Sequence, residues 1–511
     1  MTQNIVKIAI TLVIILIMGL YLGVGVVSAQ GEVLYTMGAI LLVAIVAALG
    51  KKVWLLIPLV MLSSLSFRWI PGQWRTVDLA YLATFFGCAL LFLTRKLDYQ
   101  WRLKGIHIIA FLVVLSVVQT YVRNPVGLAV FGSSTVGGRA YFTFAIGLMI
   151  GLLLSIIKVP ARELFAIRNF AMAGGIVSMI AQWLSYIPGF ALPMTIAFGT
   201  GNLDFDGRGS TDSAGRNVAG ADTAKVLSRL TIGFASPMKS LFFNRWTLIV
   251  ALALFGGLIS GWRSKLGDMI LIFALGVYYW QGIWAVIVSF LIAASFLMIL
   301  AIVNVVTPLP AEVQRTLSFL PGTWEERFVR SGENSTDWRW DMWEEALTSD
   351  RWINNKVIGD GLGFSFKEFE LQEALQRGRY NMPSFGKLTP QQVSFLINGD
   401  YHSGPVSFVR TVGYVGLVIF TVALLTVLVV AHRLMKRVKG TPYFGVVAFV
   451  CIPAIAHPIL FWFVFGTFSG DVSQFFLNVG LISLLRNNID FDNLDKDPRY
   501  EEAKEEEVVF A

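Results

Sequence analysis

Residues 266–306 read LGDMILIFALGVYYWQGIWAVIVSFLIAASFLMILAIVNVV, an almost wholly apolar stretch. A single helix of that length would be about 60 Å long, twice the hydrocarbon thickness of a bilayer. The stretch therefore predicts two membrane spans, broken near Trp280-Gln281-Gly282. Helices are required because lipid offers no partner to an open backbone amide. A barrel would need repeated strands of alternating polarity, and the sequence shows none. The fold class that follows is all-α: a polytopic membrane protein of about 14 transmembrane helices, capped by a helical periplasmic segment.

The same pattern extends outward from this stretch. The chain of 511 residues is 55% hydrophobic and 14% charged, whereas soluble domains carry about 25% charged residues. The first apolar run, Ile5 to Ser28, is longer than the apolar core of a secretion signal. Val27-Ser28-Ala29 has the look of a cleavage site, but an uncut first helix is the expectation. Cys88 and Cys451 both lie within apolar runs, and no disulfide or zinc framework can be built from two such residues.

Positive charge in short loops marks the cytoplasmic side. Four segments carry it: Lys51-Lys52, Arg95 to Lys104, Lys158 to Arg168, and His432 to Lys439. With the N-terminus inside, seven spans satisfy the first three. Residues 245–262 and the two halves of 266–306 add three more, which would leave 433–439 outside. An eighth span at 221–241 repairs the count, although it carries Lys225 and Arg229. A cation near the bilayer centre costs about 2.5–3.5 kcal/mol on insertion scales. Lys225 is expected to snorkel to the outer interface, and Arg229 to face a wet cavity. Spans at roughly 405–431, 443–466 and 470–486 complete 14, with both termini cytoplasmic.

The resulting organisation is a first membrane part (1–306) with a glycine-rich external loop at 191–220, a large periplasmic loop (307–404), a last membrane part of three helices (405–486) and an acidic cytoplasmic tail (487–511). The tail holds nine acidic and three basic residues, a net −6, which leaves +14 for the remainder of a chain whose total is +8. Such tails are usually solvated. No internal repeat is visible, which weakens transporter architectures built from duplicated halves.

Within the large loop, Asp337-Trp-Arg-Trp-Asp-Met-Trp-Glu-Glu-Ala-Leu347 predicts a helix capped by Thr336 or Asp337. Trp340, Trp343 and Leu347 share one face of it. Gly359-Asp-Gly-Leu-Gly363 predicts a tight turn, and Phe366 to Arg377 a second amphipathic segment. The chain returns to the membrane at Tyr401-His402-Ser403-Gly404-Pro405, which puts His402 at the mouth of a helix.

An Arg and Trp helix, a glycine turn, and a His opening a membrane helix together resemble the C-terminal module of the O-antigen ligase and polymerase family. The residues that carry the resemblance are Arg339 to Leu347, Gly359 to Gly363, His402, and Val412-Gly-Tyr-Val-Gly-Leu417. Trp262-Arg263-Ser264-Lys265 matches a further family Arg that follows a helix well before the loop. The likeness covers about 260–430; the first 200 residues match only by hydropathy. The family usually follows its His with Asn, where this chain has Ser403, and the eighth helix is more charged than the family pattern.

The resemblance implies transfer of a glycan from a polyprenyl (undecaprenyl) diphosphate to an acceptor hydroxyl. That acceptor is lipid A core, another lipid-linked glycan, or a protein. It further implies the inner membrane of a bacterium, with the site facing the periplasm and no cofactor. The leaving diphosphate needs its growing charge stabilised, which suits arginine forks. Arg263 and Arg339 are the leading clamps and Arg229 the third, with Arg216, Arg410 and Lys265 in reserve. The attacking hydroxyl must lose a proton, which suits an imidazole. His402 is the one histidine so placed. His107 and His432 fall near the cytoplasmic side, and His457 reads as structural.

No metal is required, because a diphosphate leaves readily. The one metal candidate, Asp204 to Gly215, opens like a calcium loop but has Arg208 and Gly215 where oxygen ligands belong. No phosphate-binding Walker loop is present. Two other classes stay open: a transporter or flippase of lipid-linked saccharide, and a non-catalytic scaffold that docks other polysaccharide-assembly proteins through the acidic tail. Membrane lipids are expected neighbours in every case, and nucleic acid in none.

Overall fold

The computed structural model describes residues 40, 44–67, 74–102, 104–126, 137–200, 217–242, 244–363, 395–396, 399, 401–489 and 491. The first apolar run, Arg216, the calcium-like segment 204–215, the second amphipathic segment 366–377 and nearly all of the acidic tail lie outside them.

The regular structure among the described residues is helical apart from one two-residue strand pair, Ser66 and Phe67 with Arg75 and Trp74, and an isolated bridge between Tyr99 and Ile157. In order, the helices are α1 (Leu56–Val60), α2 (Thr76–Leu93), α3 (Gly105–Arg123), α4 (Arg139–Ile156), α5 (Phe165–Leu184) and α6 (Ala191–Phe198). There follow α7 (Val218–Phe234), α8 (Arg245–Ile259), α9 (Arg263–Gln281), α10 (Ile283–Val306), α11 (Ala311–Leu317) and α12 (Glu326–Thr348). Last come α13 (Gly404–Arg437), α14 (Phe444–Phe463) and α15 (Phe468–Asn488). Among the described residues, eight helices are long and apolar enough to cross a membrane: α2, α3, α4, α5 with its preceding turn, α10, α13, α14 and α15. The long stretch 266–306 does break in two, at Gly282, whose φ of 91° is open to glycine without strain. Of the hydrophobic window in α10, 6% is buried. It therefore presents apolar side chains nearly all round, as a lipid-facing helix does.

Polar contacts sort the helix ends into two groups. Lys51 pairs with Asp98 at 2.9 Å and Lys52 with Glu163 at 3.8 Å. Lys104 donates to Asn487 at 3.2 Å, and Asn488 accepts from the Val159 amide at 2.8 Å. Arg486 lies within electrostatic range of both Lys104 and Arg437. His432 meets Tyr279 at 2.6 Å. All four basic segments thus gather at one end of the bundle. At the opposite end, Arg123 and Asn124 at the close of α3 donate to the carbonyls of Gly359 (2.6 Å) and Asp360 (2.9 Å). Residues 263, 307–363 and 401–404 share that end.

Close helix packing depends on small residues, as in membrane bundles generally. A Cβ on Gly151 of α4 would lie 2.7 Å from the Phe476 carbonyl of α15. Gly151→Leu is therefore expected to cost about 1–3 kcal/mol through overpacking. A thermal melt of the detergent-solubilised chain would show this as a clear downward shift, and an unchanged midpoint would contradict the packing.

Three expectations need correction. The third apolar run, expected to span the membrane after Lys51-Lys52, forms a 3-10 stretch (Gly50–Leu55) followed by the short α1, not a full α-helical span. The larger rise of a 3-10 helix, about 2.0 Å per residue, lets few residues reach deep into the bundle. The Arg and Trp helix starts at Glu326, with Glu325 as its N-cap, well before Asp337. Its buried face is also rotated from the expected one. Met342 and Ala346 are fully buried, and Trp338, Trp343 and Leu347 pack against the core. Trp340 is 62% exposed.

Candidate functional site

The polar helix α7 is held by its ends and by its glycines. Asn217 caps it, accepting from the Gly220 amide at 3.0 Å. Gly220 and Gly256 let α7 and α8 touch backbone to backbone; a Cβ on either would lie 2.8 Å from the other's carbonyl oxygen. This contact leaves the opposite face of α7, carrying Asp222, Lys225 and Arg229 at i, i+3 and i+7, turned toward α9.

Between the two helices lies a cavity of about 270 Å³. Its charged lining is Asp222, Lys225, Arg229, Lys265 and Asp268, with Ser64, Ser228 and Trp262 beside them. The cavity sits at the ends of α7 and α9 nearest residues 218 and 263, away from the basic loops. Ser64 and Ser178 both donate to Asp222 Oδ2, the second at 3.2 Å, and Gln182 donates to Ser64 at 3.2 Å. Lys225 Nζ donates to the Leu62 carbonyl at 3.1 Å. It is turned inward, which corrects the expectation that it snorkels to the interface. The reason is the bend at Leu62 to Ser64, which brings a carbonyl and hydroxyls within reach. Arg229 lines the cavity as expected.

His402 lies at the same end of the bundle, in the turn that leads through Ser403, the N-cap, into α13. Its φ is 51°, a left-handed value uncommon for a residue with a Cβ. Three aromatic rings surround the imidazole: Phe395 at 4.7 Å, Phe465 at 5.4 Å and Trp338 at 5.9 Å between centroids. The segment is fixed by Trp343, whose indole Nε1 donates to the Tyr401 carbonyl at 2.7 Å. Burial pushes the Tyr401 phenol up to about 12, so it stays protonated and donates to the Leu396 carbonyl at 3.4 Å. Arg339 lies over the Trp338 ring, 5.5 Å from its centroid. One tryptophan therefore links Arg339 to His402.

Two further candidate cations, Arg263 and Arg410, are engaged elsewhere. Arg263 donates to Ser318 Oγ at 2.6 Å and to the Arg315 carbonyl at 3.3 Å, tying α9 to α11. Arg410 donates to the Gly361 carbonyl at 3.2 Å and lies 4.0 Å from the Asp360 carboxylate, so it secures the glycine turn. The structure thus forms two groups. Arg229 and Lys265 share the cavity with Lys225, and Arg339 and His402 share Trp338. None of Arg263, Arg339, Arg410 or His402 is among the residues lining the cavity.

Sequence reasoning missed both cavity carboxylates. Asp222 was legible from its i, i+3, i+7 register with Lys225 and Arg229. Asp268 stands three residues after Lys265 on α9, but that its carboxylate faces Arg229 of α7 is a contact between helices that no local spacing shows. It also missed the pairing of His457 Nε2 with Asp471 Oδ1 at 3.1 Å, which joins α14 to α15. Among the described residues, no three His, Cys, Asp or Glu side chains cluster as a metal site. No protein-family model matches the chain, and no curated protein matches it.

Proposed function

We propose that the chain is a bacterial inner-membrane glycosyltransferase that moves a glycan from undecaprenyl diphosphate to an acceptor hydroxyl at the periplasmic face. The observation that carries this reading is the placement of a cation-lined cavity and an aromatic-caged imidazole at one end of the bundle, opposite the four basic segments. By the positive-inside rule the basic end faces the cytoplasm, which puts the cavity and His402 outside. On this reading the chain crosses 14 times with both termini inside, and 307–404 forms a periplasmic cap.

In the reaction the acceptor oxygen attacks the anomeric carbon of the donor sugar. The bond from that carbon to the diphosphate oxygen breaks, and the hydroxyl proton passes to His402. Arg229 and Lys265 receive the departing diphosphate, with Lys225 adding charge behind them. Low dielectric near the membrane strengthens such contacts. Arg339, stationed beside the imidazole, is the clamp nearest the acceptor. Arg263 acts by fixing the first turn of α9, next to Lys265. Ligase and polymerase versions differ in the acceptor alone.

Deleting the gene is expected to cause accumulation of undecaprenyl-diphosphate-linked glycan, identified by mass spectrometry of the lipid extract. Accumulation on the cytoplasmic leaflet would instead favour a flippase, for which the buried cations of α7 also supply an anion path. An unchanged lipid pool would contradict both.

A further inference from the structure

The cavity between α7 and α9 treats its charged groups unequally. Asp222 is occupied by two serine hydroxyls, and Lys225 by the Leu62 carbonyl. Arg229 Nε and Asp268 Oδ1 are buried and have no hydrogen-bond partner among the described residues. The two side chains are within electrostatic range, yet no ion pair of 4.0 Å or less joins them among those residues. A buried donor and a buried acceptor that face one cavity without pairing call for a ligand with two chemistries. One part must accept from a guanidinium, and the other must donate to a carboxylate.

A bare diphosphate meets half of that requirement. Its oxygens accept from Arg229, but a carboxylate at Asp268 repels them. A glycosyl diphosphate meets both, since a hydroxyl or amide N–H of its first sugar donates to Asp268. We propose that Asp268 reads the first sugar of the lipid-linked donor, so that the site holds glycosylated carrier and rejects spent carrier. This rests on the glycan-transfer reading given above. It also gives the site a way to turn over: once the sugar has left, Asp268 faces the diphosphate without compensation and favours its release.

The test uses the full-length chain in nanodiscs with two probes, undecaprenyl diphosphate and undecaprenyl diphosphate carrying one N-acetylhexosamine. The natural chain should bind the glycosylated probe about tenfold or more tighter, the factor that one hydrogen bond to a charged group supplies. Asp268→Asn, nearly isosteric, should bring the two affinities to within about threefold, chiefly by tightening the bare carrier. Asp268→Ser provides the same comparison if the Asn variant fails to fold. Equal affinity of the natural chain for both probes, or full discrimination retained without the carboxylate, would overturn the role of Asp268. Arg229→Gln should weaken both probes alike. If it binds both as the natural chain does, the diphosphate reading itself fails, whatever Asp268 does.

Discussion

Replacing His402 by alanine is expected to lower glycan transfer by about 10²–10⁴-fold, the contribution of a positioned general base, while binding of undecaprenyl diphosphate persists. The imidazole is held by its surroundings, not by chance of rotamer: three rings enclose it, and Trp343 pins the neighbouring carbonyl. Alanine keeps a Cβ at the same left-handed φ, so the substitution leaves backbone strain in place and removes the ring. His402→Asn is the sharper control. Asparagine tolerates the left-handed region and keeps a polar side chain, but it does not take up a proton near neutral pH. Its transfer rate should fall as far as that of the alanine variant, with an unchanged melting temperature. Turnover within a few-fold of the natural chain in either variant would remove His402 from the chemistry.

The second large effect is expected at Gly413, and it is structural. Helix α13 is kinked there, at φ 72°. The kink frees amides that would otherwise bond within the helix, and Tyr414 and Val415 donate to the carbonyls of Lys356 and Val357 at 2.8 and 3.1 Å. In return, the amides of Asp360 and Gly361 donate to the carbonyls of Arg410 and Thr411, each at 2.9 Å. This exchange docks the glycine turn onto the helix that begins beside His402. A Cβ on Gly413 would lie 2.2 Å from the Val357 carbonyl oxygen, and one on Gly359 2.4 Å from that of Thr411. Gly413→Ala adds left-handed strain of about 1–3 kcal/mol to an overpacking cost of about 1–3 kcal/mol. That sum is a large share of a typical folding stability of about 5–15 kcal/mol. The purified variant should melt several degrees lower, and residues 356–361 should become more open to proteolysis. A variant with the natural melting curve and protease resistance would show that the kink does not hold the turn.

How far the sequence revealed this arrangement depends on whether the signal was local. Apolar runs are local, and the hydrocarbon thickness fixes how long they must be, so α2 to α5, α8 to α10 and α13 to α15 were legible apart from their edges, whereas the short polar α11 was not. Helix α7 was legible by a different route: its polar residues hide it from hydropathy, and the balance of basic loops required it. The 3-10 form of Gly50–Leu55 was not legible, because apolar composition does not distinguish the two helix types. The start of α12 was missed because Glu326 to Thr336 lacks an apolar stripe. At the site, Arg229 was placed by its position on a helix, and the Gly359 to Gly363 turn by its glycines. The commitments of Arg263 to Ser318 and of Arg410 to the glycine turn depend on partners distant in sequence. So does the gap between Arg229 and Asp268. Nothing in a local window encodes which side chain waits across a cavity.

The central claim is that the cavity cations and His402 act on one lipid-linked donor. Its most direct test is to supply the purified chain in nanodiscs with undecaprenyl-diphosphate-linked glycan and acceptor, and to follow release of free undecaprenyl diphosphate. The account predicts release that depends on acceptor, yields a joined glycan, and is lost in both His402→Ala and Arg229→Gln. Donor left intact by the natural chain, or release unaffected by either substitution, would contradict it.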